Sequence, residues 1–170
     1  MDKIEELLKD PKTDLQKQAV TDKSYKKTPN NQDCKINFEL ATYGDAILKC
    51  VLCKIYFERE DEDNFGFKGK LTEWKKQYES DEVLVRVVAK HYKLLKFLKY
   101  DKKGNGKPKE QKPRNYKHKG QNDKDRHKYI ATAMEACIAA VYIENGENEV
   151  IEIVKQWIEW IDKVTNSSDT

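Results

Sequence analysis

The sequence predicts an all-α fold, a helical bundle around one long helix, and three observations carry that reading. Apolar residues recur at three- and four-residue spacing in nearly every stretch that is rich in them. Strict apolar/polar alternation, the mark of a half-buried strand, is convincing nowhere. Capping residues, Gly or Pro stand where the helical stretches begin and end. At 170 residues the chain is long enough to bury a core and reads as a single domain over 1–170.

Residues 2–9 form a short amphipathic helix that Pro11 ends, and Asp14 to Tyr25 is a second short helix running into a loop. After the polar break 28–33, the long helix runs from about Ile36 to Phe57, its apolar line passing through Ile36, Leu40, Tyr43, Ile47, Val51 and Ile55. An acidic segment 58–63 and a turn-rich connection 64–69 lead into a helix over 71–78. Ser80 and Asp81 cap a further helix over 83–98, which places His91 on its apolar face as a packed histidine. Two helices close the chain: 128–144, rich in alanine and stopped by Asn145-Gly146, and 150–164, with Val150, Val154, Trp157, Ile158 and Ile161 on one side.

Charge is unevenly spread. Lys+Arg 33 and Asp+Glu 30 leave only +3. The 28 residues 101–128 nevertheless hold eleven Lys/Arg against four Asp/Glu, so about −4 remains on the other 142. These residues also gather Gly, Pro, Asn and Gln and almost no aliphatics, so 101–127 reads as a basic loop insertion. No apolar run approaches the ~20 residues of a membrane span, and the start of the chain lacks the form of a secretory signal, which points to a soluble intracellular or cytoplasmic protein with no membrane partner. Cysteines stand at 34, 50, 53 and 137; Cys50 and Cys53 have no second pair to complete a metal set and read as small buried side chains in a reducing compartment.

Chemistry concentrates at Gly44-Asp45. A glycine inside a helix costs about 1 kcal/mol against alanine, so its presence there implies close approach of another backbone or of a ligand. Glu135, in the middle of a helix of Ala, Met, Ile, Val and Tyr, is the plausible partner for Asp45. Two carboxylates on crossing helices could hold a hard divalent cation such as Mg²⁺, which takes one or two carboxylates and keeps its waters; they could equally pair with lysines.

The order of segments resembles the endonuclease domain of ribonuclease III over nearly the whole chain. Gln18-Ala-Val-Thr-Asp-Lys-Ser-Tyr25 resembles the family's A-L-T-H-K-S-Y, and Leu40 with Gly44-Asp45-Ala46 its signature helix E-x-L-E-F-L-G-D-A. Gly69-Lys-Leu-Thr72 resembles E-G-x-L-T, and Lys128 through Glu135-Ala136 to Tyr142 resembles K-x-L-A-D-x-F-E-A-L-I-G-A-I-Y. The family signature has acids where this chain has Ala41, Thr132 and Lys68. Ala41 and Thr132 match instead the pattern of the compact Mini-III enzymes, which also carry a basic insertion before the second motif and have no separate double-stranded RNA-binding domain.

The resemblance implies an endoribonuclease that cuts double-stranded or structured RNA, of the rRNA-processing type, with Mg²⁺ or Mn²⁺ held by Asp45 and Glu135. It implies a homodimer, for whose seam Tyr43 and Ile47 are candidates that fit an intramolecular core equally well, and Lys128 could steady a phosphate or serve equally as a capping lysine. RNA contacts are expected from Lys107, Lys109, Lys112, Arg114, Lys117, Lys119, Lys124 and Arg126, as duplex RNA is read through phosphates, 2′-hydroxyls and shape. The lost acids carry an alternative: an inactive ribonuclease III-like subunit that binds RNA or a ribonucleoprotein without cutting.

Overall fold

A computed structural model of the chain describes residues 1–59, 69–101 and 122–166, with side chains from residue 128 onward in the last segment. Among them the architecture is all-α, as expected, and the only extended pairing is a single parallel bridge between Thr21 and Lys99.

Helix α1 (Lys3–Lys9) is capped by Asp2, whose carboxylate accepts from the Glu5 N–H at 2.8 Å, and α2 (Asp14–Ala19) by the Thr13 hydroxyl. A 3₁₀ turn, Lys23–Lys27, then replaces the second half of the expected helix. The cause is tertiary. Asp22 N–H donates to Lys99 O at 2.9 Å and Lys99 N–H to Val20 O at 2.8 Å, so the backbone here is held by a distant segment rather than by its own helix.

Helix α3 (Phe38–Arg59) buries Leu40, Ala41, Gly44, Ile47, Leu48, Val51, Leu52, Ile55 and Tyr56. It packs most heavily on α6 (Asn122–Asn145), in which every residue from 136 to 141 is buried, so α6 is the centre of the bundle. Gly146 stops α6 with φ 87°, its N–H bonded to Tyr142 O, the left-handed ending the Asn-Gly pair implies. Helix α7 (Glu147–Asn166) covers one side of α6 with Val150, Ile153, Val154, Trp157, Ile158 and Ile161. Each such side chain contributes roughly 1.5–3 kcal/mol by leaving water.

The expected single helix over 83–98 is corrected. Helix α4 (Lys70–Glu79) is followed by α5 (Asp81–Val83), a π-helical stretch Leu84–Ala89, a left-handed Lys93 (φ 54°) and a 3₁₀ turn Leu94–Lys96. The chain must turn here for Lys99 to reach Val20, and that docking wins over helical continuation. His91, still in the helical part of this stretch, is not in the core: it is exposed and lies flat on Trp160, ring centroids 3.6 Å apart. The cysteine expectation also needs correcting. Cys137 is buried, but Cys50 is exposed and Cys34 and Cys53 are half-buried, all four as free thiols.

Candidate active site

Gly44 is the point at which α3 and α6 touch. A Cβ built on Gly44 would run into the Glu135 carbonyl oxygen, and would stand 2.5 Å from its carbonyl carbon and 3.2 Å from its Cα. No side chain fits there. Small residues recur around this point in α6, where Ala131, Ala133, Ala136, Ala139 and Ala140 are all buried. Asp45, next to this contact, is thereby set beside Glu135 from the facing helix.

Glu135 is half-buried and has no hydrogen bond or ion pair among the described residues. Its carboxyl is pushed up to about 7, first by burial and then by the negative charges of Asp45 and Asp81; Lys49 and Lys128 oppose the shift. Asp45 is paired with Lys49, one turn further along α3, at Nζ–Oδ2 2.6 Å. The pair is part-exposed, so it contributes about 0.3–0.5 kcal/mol. Lys49 in turn feels Glu79 and Glu135, which together with Asp45 hold its ammonium above the ordinary lysine range. Glu79 has a buried oxygen with no hydrogen bond, although Lys75 Nζ stands 3.4 Å from it as an ion pair.

Four carboxylates therefore share one neighbourhood, Asp45, Glu79, Asp81 and Glu135, with Lys49, Lys75 and Lys128 among them. Asp81 and Glu79 escaped the sequence reading because only tertiary packing, of α4 on α3 and of α5 on α6, brings them in. Lys49 left a visible signal, an i,i+4 spacing from Asp45.

The positions at which the family signature has further acids are informative. Ala41 is buried in the core, and the Thr132 hydroxyl donates to Lys128 O in the turn before it, at 2.9 Å. Neither offers a ligand toward Asp45. Lys68 lies outside the described residues, as do Lys107, Lys109, Lys112, Arg114, Lys117 and Lys119. Lys124 and Arg126 fall on the first turns of α6, which starts at Asn122 rather than at 128 as the sequence suggests, and their side chains are likewise outside the description. Lys128 is exposed, two helical turns before Glu135. Of the two seam candidates, Tyr43 is 46% exposed and set edge-on to Tyr142, whereas Ile47 is 6% exposed and belongs to the intramolecular core.

The family model of the Ribonuclease III domain matches residues 39–146, which takes in both Asp45 and Glu135. The chain belongs to the ribonuclease III family. Its structure is also similar to that of the nuclease domain of ribonuclease III from Campylobacter jejuni, described for flexibility in the region involved in dimer formation. The TM-score is 0.62, with 20% identity over 92% of this chain and 94% of that one, a likeness that speaks for the fold.

Whether this ribonuclease III domain can hold a divalent ion depends on its donor set. Among the described residues no group of three or more His, Cys, Asp or Glu side chains is arranged to hold a metal. A closed protein cage therefore does not fit. A water-rich Mg²⁺ site does, because Mg²⁺ needs only one or two carboxylates, and unpaired Glu135 beside Asp45 leaves negative charge for a cation to neutralise.

The raised Glu135 carboxyl has a checkable consequence. A carboxyl held at about 7 in the folded chain and at 4.5 when free favours the folded state most fully below 4.5, and that contribution is lost as pH rises through 7. In metal-free buffer, raising the pH from 5 to 8 should therefore lower the melting temperature of the native protein more than that of Glu135→Gln. Parallel melting curves for the two proteins would contradict the assignment.

Proposed function

We propose that this chain is a Mg²⁺-dependent (or Mn²⁺-dependent) endoribonuclease acting on double-stranded or structured RNA as a homodimer. One observation carries the reading: Glu135, a half-buried carboxylate without a partner among the described residues, is brought within reach of the Asp45 charge by a helix crossing that only glycine permits. Asp45 and Glu135 would hold the ion through one carboxylate each, and water would fill the rest of its shell. When bound, the ion supplies an activated water and charge stabilisation for in-line displacement at a phosphodiester, leaving 5′-phosphate ends.

The chain's own residues prepare that chemistry. The Gly44 contact fixes the distance between the two carboxylate-bearing helices, which positions the ligands before any RNA arrives. Lys49 neutralises Asp45 in the resting state and must release it when a divalent ion takes the carboxylate. Lys128, whose charge reaches Glu135, offers an ammonium to a phosphate oxygen two turns along α6. The absence of acids at Ala41 and Thr132 resembles the Mini-III pattern and leaves the site with fewer protein ligands and more water. Incubation of the native protein with an RNA duplex and Mg²⁺ is the first test, with internal cuts bearing 5′-phosphates as the expected result.

An exposed stripe on α3 supports the homodimer. Tyr43, Ala46, Cys50 and Phe57 share one helical face and are all exposed, Phe57 at 53%. A second copy laid along this face would cover the stripe and bring two Asp45–Glu135 sites to one duplex. Phe57→Glu should then shift the protein from dimer to monomer in light scattering after size exclusion. A native protein that runs as a monomer would contradict the seam.

A second reading has its own observation. The Lys49 ammonium on Asp45, with no three-donor group near it among the described residues, suits a domain that binds structured RNA without cutting it. A native protein that shifts duplex RNA in a salt-dependent way but never cuts it, with either Mg²⁺ or Mn²⁺, would favour this reading.

A further inference from the structure

Eight of the basic side chains on the described surface are paired with acids. Lys3, Lys9, Lys17, Lys49, Lys54, Lys75, Arg86 and Lys155 each lie within 4.0 Å of a carboxylate. A different situation holds where the amino-terminal segment docks on the segment before residue 101. There the 3₁₀ turn contributes Lys23, Lys26 and Lys27 and the bridge contributes Lys99, all exposed and none in an ion pair among the described residues.

Three backbone contacts fix the place: Asp22 N–H to Lys99 O, Lys99 N–H to Val20 O, and Asp101 N–H to the Ser24 hydroxyl at 3.1 Å. The acids of this corner are otherwise occupied. Asp22 is buried and accepts from the Ser24 N–H, and Asp101 makes interactions of its own. Beside them Tyr100 meets Tyr129 of α6 with ring centroids 5.8 Å apart, and the Asp22 charge reaches Tyr129. Tyr129 is six residues before Glu135, which is about 9 Å along a helix axis. The corner that carries the four exposed lysines thus meets α6 at Tyr129, less than two helical turns before Glu135.

We propose that Lys23, Lys26, Lys27 and Lys99 form a fixed cationic platform that binds the phosphate backbone of duplex RNA and sets it across the Asp45–Glu135 site. The occupant follows from charge and chemistry. Four unpaired ammonium groups gain most from a dense, regular polyanion, and a backbone already held in place pays little ordering entropy on binding. The platform uses none of the residues expected in the basic insertion. The proposal rests on the double-stranded RNA reading above, and because binding needs no metal it can be tested apart from cleavage.

The experiment measures fluorescence anisotropy of a labelled RNA duplex in EDTA, across a series of KCl concentrations, for the full chain and for K23Q/K26Q/K27Q/K99Q. Each phosphate contact contributes about 0.9 to the slope of log affinity against log salt, so the variant should lose roughly 2 to 4 from that slope. The quadruple arginine variant should keep it. K3Q/K9Q/K54Q/K155Q, which removes the same charge from ion-paired positions, should leave the slope unchanged. Circular dichroism confirms that each variant is folded.

An unchanged slope in the platform variant, or an equal loss in the ion-paired control, overturns the proposal. So does native protein that fails to bind duplex at all. A platform that behaves as expected in a protein that never cleaves would support the platform and refute the nuclease reading. Cleavage that persists with an unaltered salt slope would do the reverse.

Discussion

Gly44→Ala should destabilise the protein by roughly 3 kcal/mol or more, or prevent folding, although alanine is the better helix former by about 1 kcal/mol. The reason is steric. The added methyl would land on the Glu135 carbonyl, and neither backbone can move without disturbing the neighbouring alanines of α6. Overpacking of a tight core ordinarily costs about 1–3 kcal/mol, and the obstacle here is backbone rather than a flexible side chain. Urea unfolding measures the effect directly: the midpoint should fall well below that of the native chain. A midpoint equal to or above the native one would mean that α3 and α6 do not touch at Gly44. Any folded fraction should also cut RNA poorly, since spreading the helices carries Asp45 away from Glu135.

The second large effect belongs to the carboxylates themselves. Asp45→Asn and Glu135→Gln keep shape and remove charge, so each should fold and each should lose cleavage by about a hundredfold or more, a loss of roughly 3 kcal/mol in transition-state stabilisation. The two losses should not add in the double variant, because a divalent ion that has lost one of only two protein ligands gains little from the other. Glu135→Gln should also fold more stably than the native chain above pH 7 in the absence of metal, as it removes a buried, unpaired negative charge.

Much of this arrangement was legible in the residues. The period of the apolar positions gave the long helices α3, α6 and α7 to within a few residues at most of their ends, and the Asn145-Gly146 stop was read from its turn chemistry alone. The isolated glycine beside an aspartate announced a close approach, and the approaching backbone is that of Glu135. What periodicity could not show was where tertiary pairing overrides it. Residues 83–98 have helical spacing, yet the helix stops after His91, and the turns that follow carry Lys99 to Val20. Asp81 and Glu79 could not be assigned to the site from sequence, since each is an ordinary surface acid until α4 packs on α3 and α5 on α6. Ile47 illustrates the converse: an apolar residue on the signature helix fits a seam or a core equally well, and burial assigns it to the core.

In the proposed function Asp45 and Glu135 act together on RNA through a bound divalent ion. Cleavage of a long RNA duplex with Mg²⁺, followed for the native chain beside Asp45→Asn and Glu135→Gln, tests it most directly. Internal cuts with 5′-phosphate ends are expected from the native protein and none above background from either substituted one. Cutting that survives in both, or a native protein that cuts with neither Mg²⁺ nor Mn²⁺, would contradict it.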